Sequence, residues 1–336
     1  MGRYTDVHAE PKGPGDARPT AFQIIQDEGL QDRLKGKVMV ITGPTAGIGL
    51  ETARALSATG ATLFLTVRDL DRARKTLSSI LEPGRVLLVL MNNDSLASVK
   101  AAAATILALS QNQVNILICN AAILGAPERQ ITVDGHEMHF AVNYLSHFFL
   151  FQLLKPALLA SASPTFASRV VMVTSSAYRA CTLSPADNYH FEKGGYERFL
   201  AYARSKLATI YLANEIERRY GSKGLHATSL HPGTILTKLF DGFGPEVAAT
   251  VTGKIKPRIK SCEQGAATTV LAAVGKEWEN KGGRYLEDCE EAGPGEDNND
   301  VLGQGYVQQT YDPHCEARLW QDSLKMVGME DAELGD

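Results

Sequence analysis

KVMVITGPTAGIG, residues 37–49, decides how this chain folds. Its first six residues, KVMVIT, are apolar and rich in β-branched side chains, which reads as a strand buried on both faces. The strand runs straight into Thr42-Gly43-Pro44-Thr45-Ala46-Gly47-Ile48-Gly49, and a helical pattern starts from about Gly49. Glycines at such a junction allow a tight turn and a close approach of backbone to a pyrophosphate. The helix that follows aims its free N–H groups and the positive end of its dipole at the same anion. The spacing is G-x-x-x-G-x-G, not the common G-x-G-x-x-G, so the strand-loop-helix context carries the reading.

Outward from this loop the chain repeats the alternation. Strands are expected at 61–67, 85–91, 114–119, 169–174 and 225–230, with a short one at 283–286. Helical segments are expected at 70–80, 96–109, about 133–160 and around residues 202–206. Near-continuous apolar strands separated by helices predict a parallel sheet covered on both faces. The fold expected is a single-domain α/β Rossmann-type structure, doubly wound, with a mainly seven-stranded parallel sheet. Residues 1–20 are rich in Pro, Gly and charge and read as a mobile arm, with a short helix over 21–35. The body spans 36–290. An acidic, turn-rich stretch, EDCEEAGPGEDNND (287–300), reads as a solvated linker, and residues 291–336 end in a helix whose Ala317, Trp320, Leu324 and Val327 share one apolar face.

Composition narrows the function. The chain has 336 residues, 44% hydrophobic and 21% charged, with a net charge of -4. That balance gives no reason to expect a nucleic-acid partner. No apolar run approaches the roughly 18 residues of a membrane span, and the first twenty residues lack a secretory apolar core. Five scattered cysteines without a CxxC pair suggest reduced thiols in a cytoplasmic protein, neither a disulfide framework nor a zinc site. His136, His139 and His147 share a helix without an acidic partner at metal spacing, so no metal is expected.

The choice of dinucleotide is read at the end of the second strand, Thr66-Val67-Arg68-Asp69. An acidic residue there suits the free 2′-hydroxyl of NAD, whereas an arginine suits the 2′-phosphate of NADP. Arg68 can fork onto phosphate and Arg72 lies one turn on, which favours NADP(H) over NAD although Asp69 is adjacent.

YARSK, residues 202–206, places Tyr202 and Lys206 four apart on one helix face. Alone, the pattern is met too often by chance to carry a conclusion. It stands, however, in an ordered series: TGPTAGIG (42–49), CNAA (119–122), TSS (174–176), YARSK and HPGTILT (231–237). In this order the motifs resemble the short-chain dehydrogenases/reductases over about residues 36–290. TVDGHEMHFAVNYLSHFFLFQLL (132–154) and AYARSKLATIYLANEI (201–216) are similar to the retinol-dehydrogenase-like group of that family.

The resemblance implies roles. Tyr202 would be the general acid/base, and Lys206 would contact the nicotinamide ribose and favour the tyrosinate. Ser175, or failing it Ser176, would hydrogen-bond the substrate oxygen, and Asn143 would help hold a water near the lysine. Gly43, Thr45, Ala46, Gly47, Ile48 and Gly49 would cradle the phosphates. Asn120 and Ala121 would lie by the ribose, Asn92 by the adenine, and Pro232, Gly233, Ile235 and Thr237 over the nicotinamide. The sequence departs from the family where CNAA replaces NNAG, where Asn92 replaces an aspartate, and where Thr174 precedes the serine pair.

The chemistry follows. A free tyrosine has a pKa near 10, and a nearby ammonium favours its phenolate. The cofactor would move the hydride while the protein orients and polarises, Ser175 holding the oxygen as charge develops. Leu183 and the aromatic residues Tyr189, Phe191, Tyr196 and Phe199 between 181 and 200, with Phe240 and Phe243 between 239 and 257, suggest a lipophilic or aromatic carbonyl/alcohol substrate. A homo-oligomer is compatible with the sequence. Two other readings fit some of the motifs: a non-catalytic NADP(H)-binding sensor, and an epimerase or dehydratase that recycles its nucleotide.

Overall fold

The computed structural model describes residues 2–125, 127–183, 188–237, 239, 249, 253 and 255–331. In chain order its elements are α1 Thr5–Ala9, α2 Ala21–Asp27, β1 Val38–Thr42, α3 Gly47–Ser57, β2 Thr62–Val67, α4 Leu70–Thr76, β3 Val86–Leu90, α5 Leu96–Leu109 and β4 Ile116–Cys119. There follow α6 Met138–Phe140, a π-helical turn Ala141–Leu145, α7 Ser146–Ser161, β5 Ser168–Val173, a 3-10 turn Ser176–Ala180, α8 Arg198–Tyr220 and β6 Leu225–His231. The described chain closes with α9 Cys262–Gly265, α10 Ala267–Val274, β7 Arg284–Glu287, β8 Glu290–Glu291 and α11 Pro313–Met326.

The eight strands order as β3-β2-β1-β4-β5-β6-β7-β8. Pairing is parallel from β3 through β7, and only the two-residue β8 is antiparallel. The chain moves outward from β1 to β3 and then returns to build from β4 to β7 on the other side. The order therefore reverses between β1 and β4, and the crevice at their carboxyl ends is where such sheets bind ligands. Every residue of β1, β4 and β5 is buried, which explains their unbroken apolar composition. One core layer packs α5, α7, α8 and α11 on the sheet, with Phe148, Tyr220 and Trp320 among its side chains. The other packs α2, α3 and α10, with Ile24, Leu56 and Val270.

Several expectations are corrected. Residues 2–20 are no mobile arm: they carry α1 and lie on the body, where Tyr4 donates to Asp27 at 2.7 Å and Arg18 is buried. Composition registers chain flexibility but not acceptors supplied from more than 200 positions away. Residues 287–300 are no free linker either. Their loop wraps the buried Arg179, whose guanidinium donates to the carbonyls of Glu296 (2.5 Å), Asp300 (2.7 Å) and Gly305 (2.7 Å). The helix expected over 21–35 stops at Asp27, where Gly29 turns at φ +67°. The long helix expected from 133 starts at Met138, because Asp134-Gly135 makes a turn with Gly135 at φ +87°. β8 escaped notice because two charged residues carry no strand signal.

Candidate active site

The glycine loop closes on itself. Gly43 has φ +67°, and a Cβ there would stand 2.9 Å from the Ala121 Cα. A Cβ on Gly49 would run into the Gly43 carbonyl oxygen and the Asn120 amide. Gly47, at φ +53°, faces the Thr237 methyl, which a Cβ would meet at 3.0 Å. Thr45 lies in the turn, Ala46 is the extended residue before α3, and Ile48 is the second residue of the helix. The loop is thus a bare-backbone cradle at a helix N-terminus, bordered by Ala121 on one side and by the segment from Pro232 to Thr237 on the other.

Thr42 is the hub beneath it. Its hydroxyl oxygen accepts from the backbone N–H groups of Asn120 and Ala121, both at 2.9 Å. The Asn120 amide donates back to the carbonyls of Thr42 (2.9 Å) and Gly43 (3.2 Å). Thr42 Oγ1 also lies 2.9 Å from His147 Nε2, and His147 Nδ1 lies 2.9 Å from the Asn143 carbonyl. A carbonyl only accepts, so Nδ1 carries the proton; burial pulls this imidazole down to about 4, so it is neutral and Nε2 accepts from Thr42. One unbroken chain of hydrogen bonds joins the glycine loop, the end of β4 and the π-helical turn.

Asn143 sits in that π-turn, a wound segment common at functional sites. Its side chain accepts from the Ile123 N–H at 2.8 Å and donates to the Ile123 carbonyl at 3.0 Å and to Ser205 Oγ at 2.9 Å. Ser205 in turn donates to the Tyr202 carbonyl at 2.7 Å. Asn143 therefore clamps the loop after β4 against α8. A buried pair on α6 supports the same loop: Glu137 accepts from His139 Nδ1 at 2.7 Å, and His139 Nε2 accepts from the Gly125 N–H at 2.7 Å.

Tyr202 and Lys206 project from α8 into the crevice, both buried. Burial pushes the Tyr202 phenol up to about 12, opposed by a hydrogen bond with Ser175. Burial pushes the Lys206 ammonium down to about 7. Its Nζ donates to the Val173 carbonyl at 3.0 Å and stands 5.7 Å from the Tyr202 ring centre. Thr174 and Thr209 both donate to the Lys206 carbonyl at 2.7 Å. Ser175 is half-buried and takes the Ala177 N–H at 3.2 Å, whereas the Ser176 hydroxyl is spent on the Val301 carbonyl at 2.7 Å. The structure thus separates the two serines and brings Ser175, Tyr202 and Lys206 together.

Towards the adenosine side, Arg68 is exposed after β2 and pairs with no side chain among the described residues. Asp69 caps α4 by accepting from the Arg72 N–H at 3.0 Å, so its carboxylate is already engaged. Asn92 is exposed after β3, its N–H donating to Ser98 Oγ at 2.9 Å. On the opposite side Pro232 and Ile235 are buried, Gly233 turns at φ +98°, and Thr237 faces Gly47. Of the aromatic side chains expected near the substrate, Phe191 is buried beneath Arg204, and Tyr189 stacks on Phe140. Tyr196 and Phe199 are half-buried; Phe240 and Phe243 lie outside the described residues. A shallow depression of about 600 Å³, lined by Gln31, Ser57, Ile80 and Arg85, lies at the amino ends of the strands, away from this crevice. Among the described residues, no group of three or more His, Cys, Asp or Glu could hold a metal ion.

Thr42, His147 and Ser205 were absent from the residues expected on sequence. Their signal is faint: Thr42 ends an apolar strand, but His147 follows Ser146 and Ser205 stands between Arg204 and Lys206, and nothing in the sequence names their partners.

The fold and the cradle define a doubly wound nucleotide-binding protein. The short chain dehydrogenase family model matches residues 37–247. The chain is 47% identical over 332 residues to the short-chain dehydrogenase/reductase prx1 of Penicillium roqueforti, covering 98% of this chain and 96% of that one. It is 41% identical to the oxidoreductase calI of Penicillium decumbens, covering 98% and 99%. The human WW domain-containing oxidoreductase is 34% identical over 82% of this chain and 66% of its own. Among solved structures, an uncharacterised protein from Mycobacterium paratuberculosis matches with a TM-score of 0.65 at 26% identity, over 88% of this chain and 95% of that one. A complex of Pseudomonas aeruginosa RhlG with NADP matches in fold, with a TM-score of 0.62 at 24% identity, over 76% and 96%. The chain belongs to the short-chain dehydrogenase/reductase family. It is an oxidoreductase of that family, with a nicotinamide dinucleotide as cofactor.

Proposed function

We propose that this protein is an NADP(H)-dependent reductase or dehydrogenase that interconverts a carbonyl and an alcohol on a lipophilic or aromatic small molecule. The observation that carries the reading is the convergence of Ser175, Tyr202 and Lys206 at the carboxyl ends of β5 and α8's first turns, beside a cradle that any Cβ would fill. Gly43, Thr45, Ala46, Gly47, Ile48 and Gly49 hold the pyrophosphate, and Arg68 takes the 2′-phosphate. Asn92 borders the adenine, and Asn120 and Ala121 the ribose. Pro232, Gly233, Ile235 and Thr237 cover the nicotinamide. Preference for NADP(H) is supported by Arg68, which pairs with no side chain among the described residues, while one oxygen of the neighbouring Asp69 is engaged in capping α4.

When bound, the nicotinamide supplies or accepts the hydride. Tyr202 gives its proton to the substrate oxygen in reduction and takes it in oxidation. Its raised pKa keeps it protonated at neutral pH, which suits the reductive direction. Ser175 hydrogen-bonds the same oxygen as charge builds there. Lys206, on the same face, favours the phenolate when charged. Asn143 holds the frame in which these groups meet. The half-buried Tyr196 and Phe199 support an apolar substrate. All five cysteines are free thiols, which suits a cytoplasmic setting.

The test is NADPH oxidation across a panel of aldehydes and ketones, repeated with NADH and with Tyr202→Phe. The reading expects net NADPH consumption, best with apolar carbonyls, and a Tyr202→Phe loss of roughly 100-fold to 10,000-fold with cofactor binding intact. Unchanged turnover in the variant would sink the mechanism. Binding without consumption would return the sensor reading.

A further inference from the structure

We infer that Arg18, in the N-terminal segment outside the matched family region, is a positioning residue for the nicotinamide half of the cofactor site; the inference rests on the cofactor placement proposed above. Arg18 is 4% exposed, yet its one carboxylate partner is Asp16, at 2.8 Å from Nε. Its remaining donors go to backbone carbonyls: Arg258 at 2.9 Å, Ile259 at 2.7 Å, Gly13 at 3.1 Å and Pro257 at 3.4 Å. Three of these four acceptors are consecutive residues at and just after a short 3-10 turn, Lys256–Arg258. A guanidinium is the one side chain with enough fixed donors to gather them.

The arm is held in place by Gln264 at the start of α9. Its amide donates to the carbonyls of Asp16 (3.2 Å) and Arg18 (3.1 Å), and its oxygen accepts from the Gly15 N–H at 2.9 Å. From Arg18 the contacts lead straight to the cradle. Ile259 is followed by Lys260, whose N–H donates to the Thr234 carbonyl at 2.9 Å in a parallel bridge with Ile235. Ile235 rests on Gly265, where a Cβ would come within 2.7 Å of it and 3.3 Å of Ile48. Two residues on, Thr237 meets Gly47. The covering segment is therefore held from behind by a strip of chain whose carbonyls Arg18 gathers. Removing the guanidinium orphans three carbonyls and frees that strip to turn towards water.

This arrangement makes a claim that general stabilisation does not: the damage is confined to one half of the dinucleotide. Arg18→Gln, too short to reach the turn, should bind 2′,5′-ADP, which lacks the nicotinamide, within about twofold of the unaltered protein, while NADP binds about tenfold more weakly. KM for NADPH should rise by a similar factor with a smaller change in kcat, and Arg18→Lys should restore part of the loss. Gln264→Leu, which loosens the arm and keeps the guanidinium, serves if Arg18→Gln does not fold, and should move the two ligands apart in the same way. Equal weakening of both ligands, or no weakening of NADP, overturns the inference. Failure of the unaltered protein to bind either ligand overturns the cofactor reading itself, a distinct result.

Discussion

Replacing Lys206 with methionine should make the cofactor-free protein more stable at neutral pH, and the gain should vanish in alkali. The Lys206 ammonium is 2% exposed, and its pKa falls from 10.5 to about 7 because burial strips its water. At about 1.4 kcal/mol for each pH unit, the cost of keeping that charge buried below pH 7 is on the order of 4–5 kcal/mol. Methionine has similar bulk and no charge, but it leaves the Val173 carbonyl without the 3.0 Å bond from Nζ, a loss of about 1–2 kcal/mol. The net gain expected near pH 6 is then about 2–4 kcal/mol. Between pH 7 and 10.5 the unfolded lysine holds a proton that the folded one has lost, so the stability of the unaltered protein rises with pH and overtakes the variant. Urea unfolding of both proteins from pH 6 to pH 10 measures this directly. A difference that stays constant across that range, or a variant less stable throughout, would refute the burial argument. Activity should be lost in the same variant, which would tie that costly charge to the proposed chemistry.

Arg68→Glu should weaken NADPH by about 10–100-fold, the worth of one charge-assisted bond to phosphate, and spare NADH; equal losses in paired KM measurements would count against NADP preference. Gly49→Ala should abolish cofactor binding by calorimetry, since its methyl would occupy the space of the Gly43 carbonyl and the Asn120 amide. Thr42→Val keeps the shape but strips the acceptor from the N–H groups of Asn120 and Ala121; a loss of about 1–3 kcal/mol in urea unfolding is expected, and a neutral result would show that the network contributes nothing.

The sheet was legible because its strands are apolar on both faces and its glycines follow the first of them. The site was legible where local spacing carries the chemistry: Tyr202 and Lys206 one helical turn apart, or three glycines round a helix start. Ser175 is the first choice on sequence already; what the sequence does not show is that the Ser176 hydroxyl is engaged by the Val301 carbonyl, 125 positions away. That Asp69 caps α4 was not visible in the sequence, where it stands simply as an acidic neighbour of Arg68. Arg18 and Arg179 read as ordinary charges on sequence, since the backbone carbonyls that hold them leave no mark there. Residues 2–20 and 287–300 read as loose because their partners, main-chain carbonyls and side chains such as Asp27 and Gln264, lie in other parts of the chain.

The carbonyl cage around Arg179 bears on how the chain is made. Arg179 lies four positions after Ser175, but its Gly305 acceptor follows 126 positions later. At a ribosome's pace of about 5–20 residues per second, that cation leaves the tunnel on the order of ten seconds before its acceptors. During that interval the wall beside Ser175 has no finished form, however complete the sheet behind it. A chain ending before residue 296 would keep the glycine loop and YARSK and yet carry a cation that the finished fold buries with nothing to receive it, so the wall beside Ser175 is completed only once the loop through Gly305 has been synthesised.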